Sequence, residues 1–210
     1  MKQILKIVKS DNPIFVLMLG LCSSLAVTTK VENAFLMGLC VIIVLLFSEI
    51  IASIIKKLVP DNVKIPVYIV IIGTFVTILE IILDKYIHSL YEALSIYLPL
   101  IVVNCIVLGR VLSVASKSNL KTSIKDSLGI GLGYTISLLA ISLVREIIGS
   151  NSITLIDSLS EITGFKLVVN VFPKNNLIPM SFVSSPAGAF IILGILMALF
   201  KKVGTKNESN

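Results

Sequence analysis

The stretch Asn12–Thr29 reads N-P-I-F-V-L-M-L-G-L-C-S-S-L-A-V-T-T, an apolar run that turns polar halfway along. Pro13 opens it, Gly20 interrupts it, and Cys22-Ser23-Ser24 stands where a membrane helix would continue with Leu or Ile. A second stretch, Leu98–Ser116, L-P-L-I-V-V-N-C-I-V-L-G-R-V-L-S-V-A-S, has the same design. Pro99 opens it, Asn104-Cys105 interrupts it, and Gly109-Arg110 follows. Each half of the chain therefore starts with a short, broken apolar segment carrying one cysteine. Interrupted spans at corresponding places in two halves point to a functional site at the bilayer midplane.

Composition fixes the class. The 210 residues are 56% apolar and 14% charged, with a net charge of +6, and the mean hydropathy is +1.01. A soluble domain carries roughly 25% charged residues. The chain is thus expected to be an all-α polytopic membrane protein surrounded by lipid. A β-barrel is excluded, because its strands are about 10 residues long and alternate in polarity. The positive charge does not imply a nucleic-acid partner, since the lysines sit at span ends, where they set topology. Three cysteines, two of them inside apolar runs, are too few for a disulfide framework. Lys2, Lys6 and Lys9 precede an apolar run as in a signal peptide. Leu21 is not the small residue that a lipoprotein signal needs before its cysteine, so the first span is expected to be retained.

Six spans follow: Pro13–Thr29, Ala34–Ile55, Pro66–Leu83, Leu98–Ala115, Leu128–Ile148 and Phe182–Phe200. At about 1.5 Å per residue the second reaches about 33 Å, enough for a hydrocarbon core of about 30 Å. The first reaches only about 25 Å and holds the polar break, so it is expected to form two half-helices or a re-entrant element, enclosed by protein. Asn33 is a candidate cap for the second span. Pro60-Asp61-Asn62 is a turn signal, and Pro66 suits the first position of the third span. Lys117–Lys125 reads as a polar loop. In the connection 150–181, Ile153, Ile156, Leu159 and Ile162 recur every three residues and suggest an amphipathic helix on the membrane or a partner.

Six crossings put twelve lysines (Lys2, Lys6, Lys9, Lys56, Lys57, Lys64, Lys117, Lys121, Lys125, Lys201, Lys202, Lys206) on one side and four (Lys30, Lys85, Lys166, Lys174) on the other. Lys/Arg excess marks the cytoplasm. Both termini are therefore predicted on the cytoplasmic side of the cell membrane and the 150–181 loop on the outer side. The whole chain, 1–210, reads as one membrane domain with a first repeat over about 12–85 and a second over about 97–200. Each repeat continues from its broken segment into a Gly-containing long span, M-G-L-C-V-I-I-V-L-L at 37–46 and L-G-I-G-L-G-Y-T-I-S-L-L at 128–139. Three crossings is an odd number, so the second repeat is inverted, and the pseudo-axis brings Cys22 and Cys105 together near the midplane.

A lone apolar cysteine is ordinarily an inert core residue, and Cys40 fits that reading. Cys22 and Cys105 stand beside polar, helix-weakening residues at equivalent positions, which leaves a joint role open beside the inert one. Thiolates are the usual ligands of iron–sulfur clusters, and a [2Fe-2S] centre takes four; two would have to come from a partner. Inside the membrane each charge needs a partner or a reason. Glu49 and Arg110 both lie toward the cytoplasmic side, as an ion pair or as places on an ion path. Glu80, Asp84, Arg145 and Glu146 lie near the outer surface, solvated or paired there, and His88 is a loop residue. No Walker, Rossmann or flavin-attachment motif is present, so neither nucleotide nor flavin is expected to bind this chain alone.

Particular motifs carry a resemblance. G-L-C-S-S-L-A-V-T-T (20–29), K-I-P-V-Y-I-V-I-I-G-T-F-V-T (64–77), P-L-I-V-V-N-C-I-V-L-G-R (99–110), D-S-L-G-I-G-L-G-Y-T (126–135) and R-E-I-I-G (145–149) resemble the family of E subunits of the Rnf electron-transport complex. The D and E subunits of the Na⁺-pumping NADH:quinone oxidoreductase are similar too. The resemblance spans about Asn12 to Gly149. It implies a six-span component of a ferredoxin:NAD⁺ oxidoreductase that exports Na⁺ or H⁺. It also implies an inverted partner, the A subunit of the complex, together with its B, C, D and G subunits. One [2Fe-2S] cluster would be shared with the A subunit through two cysteines from each. The family's cysteine motifs fall on Cys22 and Cys105. Two positions depart from the family pattern: Ser23 stands where Pro is frequent, and Val111-Leu112-Ser113 where an acidic residue is expected. A secondary ion or solute transporter with inverted repeats and no iron, or a scaffold for other subunits, are the rival readings.

Overall fold

The computed structural model describes residues 13–86, 88–115, 120–150, 152–156, 167–170 and 185–208. Eight helices are seen among them: α1 (Leu21–Val27), α2 (Val31–Ile55), α3 (Lys64–Tyr86), α4 (His88–Leu94), α5 (Pro99–Val102), α6 (Cys105–Arg110), α7 (Leu120–Ser150) and α8 (Pro186–Glu208). A 3₁₀ turn at Asp61–Val63 leads into α3, and Val111–Ala115 continue α6 as a π-helical turn. Strands β1 (Ser152–Ile156) and β2 (Leu167–Asn170) form an antiparallel ribbon.

Among the described residues three helices are long and apolar enough to cross a membrane: Val31–Ile55, Asp61–Tyr86 and Leu120–Gly149. The protein is thus a multi-pass helical membrane protein. Shorter apolar helices occupy Pro99–Val114 and Pro186–Leu199, within the fourth and sixth expected spans. Ile65, Ile69, Val70, Ile78, Ile81 and Ile82 of α3 are exposed. An apolar surface of that kind belongs against lipid, which is no less apolar than the side chains.

The segments expected as the first and fourth spans are broken where the polar residues stand. After a turn at Pro13–Leu17, Met18 and Gly20 take left-handed backbone (φ 53° and 74°), and α1 starts at Leu21. In the fourth span α5 stops at Val102. Asn104 is extended, and its side chain accepts from the Ile106 amide at 3.0 Å, which caps α6.

The most extensive packing is α2 against α7. Contacts run from Val31 with Glu146, through Gly38 with Thr135, to Ile42 with Gly131, so the two helices are antiparallel. A Cβ on Gly38 would lie 2.5 Å from Thr135 Oγ1, and one on Gly131 would lie 2.6 Å from Ile42 Cγ1. Small residues let membrane helices approach closely, and dispersion then replaces the absent hydrophobic drive. Val27, Met37, Leu45, Tyr68, Ile101, Ile106, Tyr134 and Leu193 share one apolar cluster that joins α1, α2, α3, α5, α6, α7 and α8.

Four local expectations are corrected. Asn33 does not cap α2: the helix starts at Val31 with no side-chain cap at Lys30, and the Val31 amide donates instead to Glu146 Oε2 at 2.7 Å. Pro66 is the third residue of α3, not the first, where a missing N–H still costs no helical bond. The polar segment before residue 126 is helical from Leu120, because its burial of Ser123, Asp126 and Ser127 outweighs its loop-like composition. Ile153 and Ile156 lie on a strand: Ile153 pairs with Val169 and Thr154 with Val168, with a bulge before Ile156. β-branched residues in both segments favour this pleated pairing over a helix. Leu159 and Ile162, the N-terminal lysines, Lys117, Lys166 and Lys174 lie outside the described residues.

Candidate functional site: two cysteine turns at broken helices

Cys22 is the second residue of α1 and Cys105 the first of α6. Both thiols are free and exposed, whereas Cys40, midway along α2, is free and buried. The side chains next to the two exposed cysteines bond to each other. Asn104 Nδ2 donates to Ser23 Oγ at 3.0 Å, and Ser23 Oγ shares a hydrogen bond of 2.7 Å with the Tyr134 hydroxyl of α7. Ser23, Asn104 and Tyr134 are all buried. In an apolar interior such groups are held only when they satisfy one another. The breaks in the first and fourth spans are thereby tied side by side, with one thiol on each. Tyr134 was visible in the sequence only as a polar tip inside an apolar run; neither its hydroxyl nor its partner could be read from spacing.

The far end of the Cys22 segment is gripped by α7. Arg145 donates from Nη1 to the Leu25 carbonyl at 3.0 Å and to Thr28 Oγ1 at 2.7 Å, and from Nη2 to the Ser185 carbonyl at 3.4 Å. The last carbonyls of a helix have no partner within it, and a cation there is favourable. Glu146, the next residue, accepts from the first amide of α2, where a negative charge is favourable. Both side chains are buried, so of the two states expected for them, solvated or paired, they take the paired one. Asp84 and His88 do pair at the surface, at 2.9 Å.

The expected Glu49–Arg110 pair is not formed. Arg110 donates through Nε to Asp126 Oδ2 at 2.8 Å and through Nη2 to Asp126 Oδ1, a two-point pair. The reason is the early start of α7, which carries Asp126 into the bundle facing Arg110. Glu49 is fully buried, and neither carboxylate oxygen has a hydrogen-bond partner among the described residues. Among those residues no group of three or more His, Cys, Asp or Glu side chains is placed to hold a metal ion.

Broken helices bearing exposed thiols, braced by buried polar bonds from a neighbouring helix, mark a multi-pass helical membrane protein. The chain belongs to the Rnf-Nqr family: a family model described as "Rnf-Nqr subunit, membrane protein" matches residues 1–197. It is 39% identical over 199 residues to the E subunit of the Na⁺-translocating ferredoxin:NAD⁺ oxidoreductase complex of Acetobacterium woodii, covering 95% of this chain and 94% of that one. It is 40% identical over 192 residues to the E subunit of the proton-translocating ferredoxin:NAD⁺ oxidoreductase complex of Clostridium ljungdahlii, covering 91% and 84%. It is 36% identical over 202 residues to the E subunit of the ion-translocating oxidoreductase complex of Pasteurella multocida, covering 95% and 88%.

Proposed function

We propose that this chain is the E subunit of an Rnf-type complex, which couples electron flow from ferredoxin to NAD⁺ to the export of Na⁺ or H⁺. In this reading Cys22 and Cys105 supply two of the four thiolates of a [2Fe-2S] cluster, and the inverted homologous A subunit supplies the other two. The observation that carries it is the Asn104–Ser23 bond, which ties the two cysteine-bearing breaks together while leaving both thiols exposed. The residues fit the group: two soft, exposed donors, with no group of three or more ligating side chains among the described residues, make half of a shared four-thiolate set. When bound, the cluster supplies one-electron transfer. The chain's own part is positional. Ser23, Asn104 and Tyr134 fix the two turns, and Arg145 holds the end of α1.

The antiparallel run of α2 and α7 supports the inverted-repeat reading, because in a six-crossing chain the second and fifth spans travel in opposite directions. Six crossings, both termini in the cytoplasm and a location in the cytoplasmic membrane complete the proposal. The B, C, D and G subunits of the complex are its further partners.

The test is co-expression with the inverted homologue. The chain purified alone should hold little iron, and the pair should hold a cluster seen by electron paramagnetic resonance after dithionite reduction. Cys22→Ala and Cys105→Ala should each remove the signal, and Cys40→Ala should keep it. A Cys22→Ala/Cys105→Ala double variant with a full [2Fe-2S] spectrum and unchanged iron would sink the assignment and favour a transporter without a redox centre.

A further inference from the structure

The bonds around Ser23 can be assigned donor by donor. A serine hydroxyl has one proton to give and two lone pairs with which to accept. Ser23 Oγ donates to the Gly20 carbonyl at 3.1 Å and accepts from Asn104 Nδ2 at 3.0 Å. Its one proton is thereby engaged, so in the 2.7 Å bond with Tyr134 the tyrosine hydroxyl is the donor. Asn104 Oδ1 in turn accepts from the Ile106 amide. The fully buried Tyr134 ring stands against Gly20, where an added Cβ would lie 3.2 Å from its Cε2. One residue of α7 therefore supports the Cys22 break twice, with its ring on Gly20 and its hydroxyl on Ser23. Two contacts then join the breaks and set a register between them. Gly20 packs on Ile106, and Ser23 bonds to Asn104. Residue numbers rise along one turn as they fall along the other, so the turns pass antiparallel. Cys22 and Cys105 fall between the two contacts, level with each other, and both thiols stay exposed.

We propose that Tyr134 is a positioning residue for the cysteine pair: acting through Ser23, its hydroxyl holds Cys22 and Cys105 in register before any cluster binds, and it raises the potential of the cluster once bound. The effect on potential rests on the shared-cluster reading, whereas the register does not. Without the Tyr134 hydroxyl, Ser23 keeps an unfilled acceptor in an apolar interior, and the chain of bonds that orders both turns is weakened. The positive end of the donated O–H bond points toward the Cys22 turn. Reduction adds a negative charge beside that turn, and outer hydrogen bonds and dipoles of this sign favour the reduced state.

The test has one arm without iron and one with it. In the full chain in detergent, with Cys40→Ala as background, nitroxides on Cys22 and Cys105 report their separation by electron paramagnetic resonance. The parent should give one narrow distance distribution. Tyr134→Phe should at least double its width, and so should Ser23→Ala. In the Ser23→Ala background Tyr134→Phe should add nothing, because the tyrosine acts through the serine. Tyr68→Phe is the control: it removes a buried tyrosine hydroxyl that has no partner among the described residues, and it should leave the distribution narrow. In the complex with the inverted homologue, a redox titration followed by the reduced-cluster resonance should show a lower midpoint for Tyr134→Phe and an unchanged one for Tyr68→Phe. A narrow distribution in Tyr134→Phe, or further broadening on top of Ser23→Ala, would overturn the positioning role. If Tyr134→Phe does not fold, a narrow distribution in Ser23→Ala overturns it equally. An unchanged or higher midpoint in Tyr134→Phe defeats the effect on potential. A parent complex with no reduced-cluster resonance defeats the cluster reading instead, and the distance measurement then decides the positioning role by itself.

Discussion

Gly20 shows how one residue can decide a membrane segment. Its φ of 74° is one that L side chains rarely adopt, and an added Cβ would lie 2.5 Å from Ile106 Cδ1 and 3.2 Å from Tyr134 Cε2. Left-handed backbone costs a non-glycine residue about 1–2 kcal/mol, and overpacking adds about 1–3 kcal/mol. Gly20→Ala is therefore expected to lower stability by about 2–5 kcal/mol, seen as a lower thermal midpoint in detergent. Gly194→Ala, with nothing within 4 Å of the added carbon, should shift the midpoint little. A Gly20→Ala protein as stable as the parent would show that the break does not depend on this backbone conformation. At this scale the sequence was readable where a residue type is chemically unusual for its surroundings. Gly20, Asn104 and the two cysteines could be picked out in an apolar run because each is a poor choice there unless the chain bends or binds. For Arg145 and Glu146 the choice between solvated and paired stayed open, since a charge near a span end looks the same whether it faces water or staples two helix ends.

Between elements, the long helices act as a frame for the short ones. α7 reaches the Cys22 break through Tyr134, the end of α1 through Arg145, the start of α2 through Glu146, and α6 through Asp126. Removing one partner of the largely buried Arg110–Asp126 pair leaves an uncompensated charge. Such a change costs about 3–5 kcal/mol, while removing both costs far less. Arg110→Gln and Asp126→Asn should each reduce the yield of assembled protein on size-exclusion chromatography, and the double variant should recover much of it. A double variant worse than either single one would mean that the two residues do not act as a pair. The sequence located the three described helices that are long and apolar enough to cross a membrane to within a few residues at one or both ends, because burial in lipid demands continuous hydrophobicity. It ended the loop before α7 too late, and that error hid Asp126 and produced the wrong partner for Arg110. Polar composition alone does not distinguish a loop from a helix that buries serines and an aspartate against its neighbours.

For the whole molecule, the lysine asymmetry gives a test of orientation. A single cysteine introduced at Asn62 should be shielded from an impermeant thiol reagent in intact cells, and one at Asn175 should react, with the native cysteines shown to be silent. Labelling of Asn62→Cys but not Asn175→Cys would reverse the topology. Composition and hydrophobic pattern by themselves determined that this is a helical membrane protein, where its long spans run, and which two segments are broken and carry cysteines. These properties follow from the free energy of placing each segment in lipid, which is nearly a sum over its own residues. Only the tertiary structure decided which polar groups meet. It paired Ser23 with Asn104 and Tyr134, gave Arg110 to Asp126 rather than Glu49, and left Glu49, Ser48 and Ser123 without partners among the described residues. Those outcomes depend on helix register and on which small residues let two helices close together, and neither is a property of any single stretch of the chain.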